Sequence, residues 1–293
     1  MNADSQAAAD LTLQFVDSHC HLEAADFSQK TDAGPIDERP QVIARARQAG
    51  VTRFVVIGSG GSEREARNAV AYAEQDQEMF AAVGIHPHDA CAVVSRKPPV
   101  SAAPQLLGEA LWQDIVRLSR HPRVVAIGET GLDFHYHHST PDEQAQLLVR
   151  SVELAQTAQK PLVLHIREAH RQAMDIIQSA GGSPKAGVVH CFTGGPQEAE
   201  EWLALGFAIS LSGIVTFKSA ATIQEAAKRI PKGRLLLETD CPYLAPIPLR
   251  GKRNEPAFLV HTAAFVAKLR GESMAELSAH SRAATNALFA LPT

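Results

Sequence analysis

Short apolar runs recur along the chain, and most are followed by a longer segment whose apolar residues repeat with helical spacing. The runs predict eight strands, at residues 13–16, 52–57, 79–85, 124–127, 162–165, 187–190, 207–211 and 235–237. Because these runs are apolar at successive positions, both faces of the sheet are expected to be covered, as in parallel sheets. Eight strand–helix units predict a single-domain α/β fold, the (β/α)8 or TIM barrel.

The alternative is an open, doubly wound parallel sheet, which also alternates strands and helices. That fold commonly opens a helix with a Gly-x-Gly-x-x-Gly loop, and no predicted helix of this chain begins with one. The barrel is therefore favoured. We expect it to span residues 11–293, with residues 1–10 as a flexible extension and with residues 26–40 and 91–104 as long loops after strand ends.

The helix after the fourth strand has the clearest boundary signal. Thr140 and Glu143 have the spacing of a capping box, and Pro141 occupies the first helical position between them. Leu148 and Val152 then lie one turn apart on the same face. The sequence therefore predicts an amphipathic helix that begins at Pro141 and packs on the sheet.

The composition excludes several classes of protein. The chain has 293 residues, 45% of them hydrophobic, and a formal net charge of −4. No segment approaches the ~18 consecutive apolar residues of a membrane span, and the first residues lack a secretory signal. Four cysteines without a C-x-x-C pair are typical of a reducing compartment. We expect a cytoplasmic protein without membrane attachment or an obligate protein partner, in which positive charge for an anionic substrate is supplied locally.

Metal-ligand side chains stand at the ends of five of the eight predicted strands. In a barrel these carboxyl ends meet at one mouth, where active sites are built. Imidazole and carboxylate groups bind divalent transition metals, and six of them suffice for two ions. Each residue alone has an ordinary structural interpretation, such as a hydrogen-bonded histidine or a helix N-cap, but the set favours a metal centre. The candidate ligands are His19, His21, Glu129, His165, His190 and Asp240.

Three cysteines and one aspartate stand beside these candidates along the chain. Thiolates are good zinc ligands, but strand alternation turns neighbouring side chains to opposite faces. We therefore expect Cys20, Cys191 and Cys241 to pack between strands and helices. Asp17 has the parity of His19 and is expected one layer deeper. It either orients a liganding imidazole or pairs with a buried polar neighbour.

Four further residues are candidates for substrate contacts. His86 and His88 flank Pro87 just past the third strand, where an imidazole could bind phosphate or donate a proton to a leaving group. Arg250 and Arg253 belong to the most basic stretch of the chain, close to a predicted helix N-terminus, and both features favour an anion. An ordinary solvated loop is the alternative interpretation of both segments.

Most of these residues lie in segments that resemble the signature motifs of the TatD-related deoxyribonucleases. The segments are DSHCHL at 17–22, GIHPH at 84–88, IGETGLD at 127–133, HCFTG at 190–194, TDCPYL at 239–244 and RNEP at 253–256. They occur in the family's order and cover nearly the whole chain. The resemblance implies a metal-dependent hydrolase with an amidohydrolase-like barrel, typically a 3′-5′ exonuclease on DNA, with metal ligands at the six positions above. Glu23 and Thr130 depart from the family pattern, and neither is expected to contact the metals.

The ligand set leads to a mechanistic hypothesis with two divalent ions that share Glu129. One ion would be held by His19, His21 and Asp240 and the other by His165 and His190. Asp240 would be the general base for an attacking water, and Mg²⁺, Mn²⁺ and Zn²⁺ all suit the ligands. The expected substrate is DNA, single-stranded or at 3′ ends. Aromatic residues that could stack on unpaired bases are Phe134, Tyr136, Phe192 and Tyr243.

Two other functions remain open at this point. A small-molecule amidohydrolase or esterase, acting on a lactone, a cyclic amide or an aminoacyl ester, could use the same metals. Such enzymes often place a carboxylated lysine at the end of the fourth strand, where this chain has Glu129. The third possibility is a metal-binding protein without catalytic activity, and the complete set of six ligand positions argues against it.

Overall fold

The computed structural model describes residues 13–31, 34–97, 106–183 and 185–292, and the predicted extension at residues 1–10 lies outside them. In chain order the strands are β1 (Phe15–Cys20), β2 (Ser28–Thr31), β3 (Gly34–Asp37), β4 (Val51–Gly58), β5 (Met79–Val83), β6 (Val124–Asp133), β7 (Leu162–Arg167), β8 (Gly187–Val189), β9 (Ala208–Leu211) and β10 (Leu235–Leu237). All except β2 and β3 form one parallel sheet whose neighbours follow the order of the chain. The predicted (β/α)8 barrel is confirmed.

The barrel is nearly closed where β1 meets β10. The amide of Asp240 donates to the carbonyl of His19 at 2.9 Å, and the amide of His21 donates to the carbonyl of Cys241 at 2.8 Å. These bonds lie at the carboxyl ends of the two strands. They bring His19 and His21 beside Asp240, which lies more than 200 residues farther along the chain.

Helices connect the strands and cover the outside of the barrel. They are α1 (Arg39–Gln48), α2 (Glu63–Gln75), α3 (Ala90–Val94), α4 (Glu109–Leu118), α5 (Pro141–Ala158), α6 (His170–Ser179), α7 (Pro196–Ala204), α8 (Ala221–Arg229), α9 (Leu259–Arg270) and α10 (Met274–Phe289). The predicted capping box opens α5, because Thr140 and Glu143 each accept a hydrogen bond from the other's backbone amide. Its Leu148 and Val152 are fully buried. None of the described helices combines the length and the apolar character needed to cross a bilayer.

The apolar interior has two parts. The larger part lies between the sheet and the helices. The smaller part fills the lumen of the barrel and takes side chains from all eight strands: Val16, Val55, Ile57, Phe80, Ala82, Ala126, Val163, Val188, Ala208 and Leu236. Phe289 and Leu291, from the end of α10 and beyond, pack into the same lumen cluster. Arg53, near the start of β4, donates to the carbonyl of Pro292, so this closure is at the amino-terminal end.

The strand β6 departs most from its predicted length. The prediction ends it at residue 127, whereas the strand continues to Asp133. Gly128 and Gly131 resemble strand breakers, but both have a positive φ, of 141° and 142°. A Cβ atom at Gly131 would lie 2.1 Å from the carbonyl oxygen of His165. The glycines therefore let β6 and β7 approach closely instead of ending the strand.

Residues 26–40 are not a long loop, and that prediction is wrong. The segment contains β2 and β3, which pair antiparallel with Ser28 opposite Asp37, and it runs into α1. β2 is polar throughout and β3 contains Gly34 and Pro35, so neither has the apolar run by which the barrel strands are recognised. The segment 91–104 begins inside α3, and its part from residue 98 onward lies outside the described residues.

Candidate metal centre

The six candidate ligands converge on the carboxyl mouth of the barrel. They lie in or just after β1, β6, β7, β8 and β10, at His19, His21, Glu129, His165, His190 and Asp240. Four of these residues are nearly inaccessible, with exposures of 0% for His19, 2% for Glu129, 3% for His190 and 8% for Asp240. Polar groups this deeply buried need partners to offset the loss of water.

One group of donor atoms faces the Oε2 atom of Glu129. The Nε2 atoms of His19 and His21 are 3.2 Å apart. Oδ1 of Asp240 lies 3.5 Å from the first and 3.4 Å from the second. Glu129 Oε2 lies 3.5 Å and 3.7 Å from the same two nitrogens. Two imidazoles and two carboxylates therefore surround one point.

A second group faces the other oxygen of the same carboxylate. Glu129 Oε1 lies 2.7 Å from Nε2 of His190 and 3.2 Å from Nδ1 of His165. These two ring nitrogens are 3.3 Å apart. Glu129 thus divides the imidazoles, with one oxygen toward each group.

The two groups have the chemistry of divalent-cation ligands. Two ring nitrogens that face each other at 3.2–3.3 Å cannot both carry a proton on the facing side, so each pair offers at least one lone pair. Tetrahedral ligands at ~2.1 Å from an ion stand about 3.4 Å from one another. The observed separations of 2.7–3.7 Å bracket that value. The residues therefore fit metal ions in both groups.

The carboxylates of the centre are held in their ionised form. Burial alone would raise the pKa of Glu129, but the imidazoles of His190 and His86 outweigh burial and hold this pKa well below its usual range. Burial also opposes ionisation of Asp240, and a hydrogen bond with His21 lowers its pKa below the ordinary value. Both groups are therefore negatively charged at neutral pH, as metal ligands must be.

Three buried carboxylates contact the outward-facing nitrogens of the histidines. Glu23 lies 3.1 Å from Nδ1 of His21, Asp133 lies 3.0 Å from Nε2 of His165, and Glu238 lies 3.4 Å from Nδ1 of His190. A carboxylate at the outer nitrogen fixes the orientation of the ring and leaves the other nitrogen free for a metal. Their side chains thus turn the imidazoles toward Glu129.

Sequence analysis overlooked Asp133 and Glu238 as functional residues. Asp133 is four residues beyond Glu129 in β6, so the full length of the strand would have predicted that both side chains lie on one face. Glu238 follows directly on the apolar residues of β10 and is 0% exposed. Its burial, which carries the signal, is visible only in the structure.

Asp17 does not contact an imidazole. The pairing of β1 with β4 is irregular between Asp17 and Cys20, so the simple alternation that aligned Asp17 with His19 is wrong. The Asp17 carboxylate accepts hydrogen bonds from the backbone amide and the hydroxyl of Thr239, at 3.0 and 2.5 Å. It also accepts from the amide of His19 at 3.3 Å. Of the two interpretations, the structure shows pairing with a buried polar neighbour, which links β1 to β10.

His86 and His88 border the second group. Nε2 of His86 lies 3.4 Å from Glu129 Oε1, and Nε2 of His88 lies 2.8 Å from the Asp133 carboxylate. The ring of His86 is also 4.6 Å from that of His165. Burial lowers the pKa of His86 to about 4, so its ring is neutral at pH 7. These two histidines, from the segment after β5, form the rim of the centre beside Asp133 and His165.

The two arginines predicted to contact substrate lie elsewhere on the mouth. Arg253 donates to the carbonyl of Asp26 at 2.6 Å and forms an ion pair with Glu38. Arg250 is exposed, with its guanidinium 4.4 Å from the ring of Phe217. Within the described part of the chain, neither arginine bonds to any of the six candidate ligands.

The cysteines are not part of the donor groups. Cys20 and Cys241 belong to the core between sheet and helices, as expected. Cys191 is only half-buried, and its Sγ lies 3.1 Å from the hydroxyl of Ser212. Among the described residues, no cysteine belongs to a cluster able to hold a metal.

Buried imidazoles and carboxylates at the carboxyl mouth of a (β/α)8 barrel define the class of the protein as a metal-dependent hydrolase. Residues 16–290 match the family described as TatD related DNase, so the chain belongs to this family. The predicted resemblance is thereby confirmed.

Curated relatives and solved structures agree with this assignment. The chain is 35% identical over 262 residues to the uncharacterized metal-dependent hydrolase YabD of Bacillus subtilis, covering 89% of this chain and 93% of that protein. It is 37% identical over 260 residues to the 3′-5′ ssDNA/RNA exonuclease TatD of Erwinia amylovora, covering 87% and 94%. The structure is similar to that of YJJV, a TatD homologue from Escherichia coli, with a TM-score of 0.82, 27% identity, and coverage of 96% and 100%.

Proposed function

We propose that this hydrolase is a nuclease that cleaves phosphodiester bonds of DNA from the 3′ end, with two divalent ions and a preference for unpaired strands. The observation that carries the proposal is the position of Glu129, whose Oε1 lies 2.7 Å from His190 and whose Oε2 lies 3.5 Å from His19. A carboxylate shared between two donor groups suits a pair of ions. Relatives named 3′-5′ ssDNA/RNA exonucleases, at 37% and 36% identity, support this choice of substrate.

Each of the two donor groups would hold one ion. His19, His21 and Asp240 would hold one ion, His165 and His190 the other, and Glu129 both. Divalent ions held by these residues would lower the pKa of a water and would supply positive charge next to the substrate phosphate, which the net charge of −4 does not provide. Mg²⁺, Mn²⁺ and Zn²⁺ all remain compatible with this donor set.

Asp240 is the proposed general base. Its backbone amide is bonded to the carbonyl of His19, so the side chain is held at the junction of β1 and β10. Its Oδ1 faces the first group, and the carboxylate is ionised at neutral pH. A group in this state and position can take the proton of an attacking water.

The proposed substrate contacts lie around the rim. His86 and His88, from the segment after β5, would contact the scissile phosphate next to Glu129 and Asp133. Arg250 is exposed and can turn toward a nucleic acid. Arg253 would have to exchange its bond with Glu38 for a substrate phosphate. We assign the reaction to a single domain, residues 11–293, acting in the cytoplasm without an obligate protein partner.

The direct test uses chelator-stripped protein and 5′-end-labelled DNA, single-stranded and duplex, with Mg²⁺, Mn²⁺ or Zn²⁺ added back. The proposal predicts a metal-dependent ladder that shortens from the 3′ end and forms faster on the single strand. Asp240→Asn should reduce cleavage to background while the circular dichroism spectrum is unchanged. Asp175→Asn, which removes the same charge from the exposed surface of α6, is the matched control.

Three results would contradict parts of this proposal. Internal cleavage without shortening from the end would contradict the exonuclease mode. Absence of cleavage with every ion, in protein that still binds metal, would contradict the nuclease activity and redirect the search to carbonyl esters and amides. Near-normal turnover by Asp240→Asn would leave the base unassigned.

A further inference from the structure

The arginines around the mouth differ in whether a carboxylate already holds them. Arg253 is paired with Glu38, and Arg45 forms two hydrogen bonds with Glu255 at 2.6 and 2.8 Å. Arg167, the last residue of β7, is different. Its guanidinium lies 4.9 Å from the centre of an aromatic ring, and none of the described carboxylates is within ion-pair distance of it. It is therefore a free cation close to the metal centre.

Arg167 lies at the carboxyl end of β7, beyond the ligand His165 of the second group. Arg167 is two residues beyond His165 on the same face of β7, about 6.6 Å farther along at ~3.3 Å per residue. In the sheet it is the partner of Asp133 in β6. Both oxygens of Asp133 are already bonded, Oδ1 to backbone amides and Oδ2 to the rings of His88 and His165. Both oxygens of the Asp133 carboxylate are therefore taken up by other groups, and Asp133 forms no ion pair with Arg167.

The adjacent Glu168 does not neutralise it either. Its Oε1 atom lies 2.9 Å from Nδ1 of His135, so this carboxylate has its own partner. The two carboxylates next to Arg167, those of Asp133 and Glu168, are therefore both bonded to histidines.

The ring that contacts Arg167 belongs to Tyr136, which is held firmly. The amide of Tyr136 donates to Oδ1 of Asp133 at 2.8 Å, and its ring meets the rings of His88 and His138 at 5.5 and 5.9 Å. Tyr136 is 44% exposed, so the pair that it forms with Arg167 is accessible to solvent. A ring under the guanidinium fixes its position while leaving the N–H groups at its edge free to donate.

We propose that Arg167 binds the phosphate adjacent to the scissile phosphate of a nucleic acid, and that Tyr136 holds the guanidinium in place. The inference rests on the proposed nuclease function and adds a second phosphate-binding position to it. The Cα atom of Arg167 is about 6.6 Å beyond that of His165 along β7, so Arg167 lies past the donor group and is not one of its ligands. The guanidinium fork matches the geometry of phosphate oxygens. Arg167 acts in binding, so it affects KM and not the chemical step.

The experiment compares substrates that have one phosphate with substrates that have two. The dinucleotide dTpdT contains only the scissile phosphate, and the trinucleotide adds its neighbour. Arg167→Gln is expected to raise KM for the trinucleotide roughly 10-fold, as expected for loss of a charge-assisted hydrogen bond. Its kcat, and its KM for dTpdT, should equal those of the wild type. For longer single strands, the slope of log affinity against log salt should fall by about 0.7.

Two further variants separate binding from structure. Tyr136→Leu removes the ring beneath the guanidinium and should reproduce part of the KM effect. Arg229→Gln removes the same charge from the far end of α8, where Arg229 pairs with Glu200, and should change neither constant. Fluorescence anisotropy with a labelled oligothymidylate, in the Asp240→Asn background, measures the same difference without turnover.

The outcomes are distinct. Equal losses on dTpdT and the trinucleotide would show that Arg167 supports the structure of the site, and an unchanged KM on both would show that the phosphate binds elsewhere; either result overturns the inference. Hydrolysis of bis(p-nitrophenyl) phosphate by the wild type, without cleavage of any nucleic acid, would overturn the proposed function itself. That failure is recognised in the wild type before any variant is made.

Discussion

The two ends of the barrel lumen are built from the same strands but from opposite kinds of side chain. At the amino-terminal end, Val16, Phe80 and Leu236 pack with Phe289 into a continuous apolar cluster. At the carboxyl end, the same strands and the segments that follow them place imidazoles and carboxylates at comparable depth. One half of the lumen therefore stabilises the fold by burial, while the other half gathers charge in a place where burial opposes it.

The carboxyl end also contains buried polar atoms without hydrogen-bond partners among the described residues. They include Nδ1 of His19 and Oε2 of Glu238. Unsatisfied groups of this kind each cost about 1–3 kcal/mol. A fold retains them where function requires the arrangement. The comparison therefore predicts that substitutions at the mouth change activity and that substitutions at the closed end change stability.

The largest effect is expected at the carboxylate shared by both groups. Glu129→Gln keeps the size of the side chain but removes the charge that faces both sets of imidazoles. We expect a loss of about 10³-fold in kcat, as for other residues that stabilise a transition state, and an intact fold. Steady-state cleavage of labelled DNA measures this. Glu153→Gln on the exposed face of α5 is the control, and retention of more than a tenth of the activity by Glu129→Gln would contradict the central role of Glu129.

The opposite behaviour is expected at the closed end. Phe289 is 2% exposed and packs in the lumen, so Phe289→Ala should lower the free energy of unfolding by about 3–5 kcal/mol. The kcat of the folded protein should stay within about twofold, because no active-site group moves. Urea unfolding and cleavage assays on the same sample provide both numbers. A fall in kcat like that of Glu129→Gln would show that the two ends are not separable.

A smaller effect is expected one contact away from the ligands. Asp133→Asn keeps an oxygen for the backbone amides but loses the negative charge beside His165 and His88. Metal affinity, measured by titration of the stripped protein, should fall about 10- to 100-fold. Asp142→Asn, at the exposed start of α5, provides the comparison. An unchanged affinity would mean that Asp133 positions only the backbone.

The smallest effect is expected in how the free energy of unfolding depends on pH. Burial raises the pKa of Asp17 from its ordinary value of 3.8 to about 7. Since the folded state then binds the proton more tightly than the unfolded state, this residue's contribution to stability falls as the pH rises from about 4 to about 7. Asp17→Asn removes that dependence. Between pH 6 and pH 7 the variant should gain roughly 1 kcal/mol relative to the wild type, measured by urea unfolding without metal, and a constant difference would contradict the account.

Most of the barrel could be predicted because strands covered on both faces are recognisable as apolar runs. All eight were recognised, and β10 had the predicted bounds of Leu235–Leu237. The wrong predictions have one physical cause. The composition of a segment does not show which other segments of the chain lie beside it. In the sequence Gly131 resembles a strand breaker, whereas in the structure it allows β7 to lie close against β6. The strands β2 and β3 pair with each other, but neither contains an apolar run that would mark it as a strand.

The site divides in the same way. The six candidate ligands were found because ligand-type residues stand at strand ends, a position that the sequence shows directly. Asp133 and Glu238 were missed because their role depends on contacts with residues far away in sequence. Sequence analysis named Arg250 and Arg253 because a run of basic residues is conspicuous. That Arg167 has no carboxylate partner among the described residues is visible only in three dimensions.

Anomalous diffraction from crystals soaked in Mn²⁺ can show whether Glu129 lies between two metal ions, as we propose. We expect two anomalous peaks at the mouth of the barrel, one among His19, His21 and Asp240 and one beside His165 and His190. Each peak should contact one oxygen of Glu129. A single peak that does not contact Glu129, in protein that is active with Mn²⁺, would contradict the account.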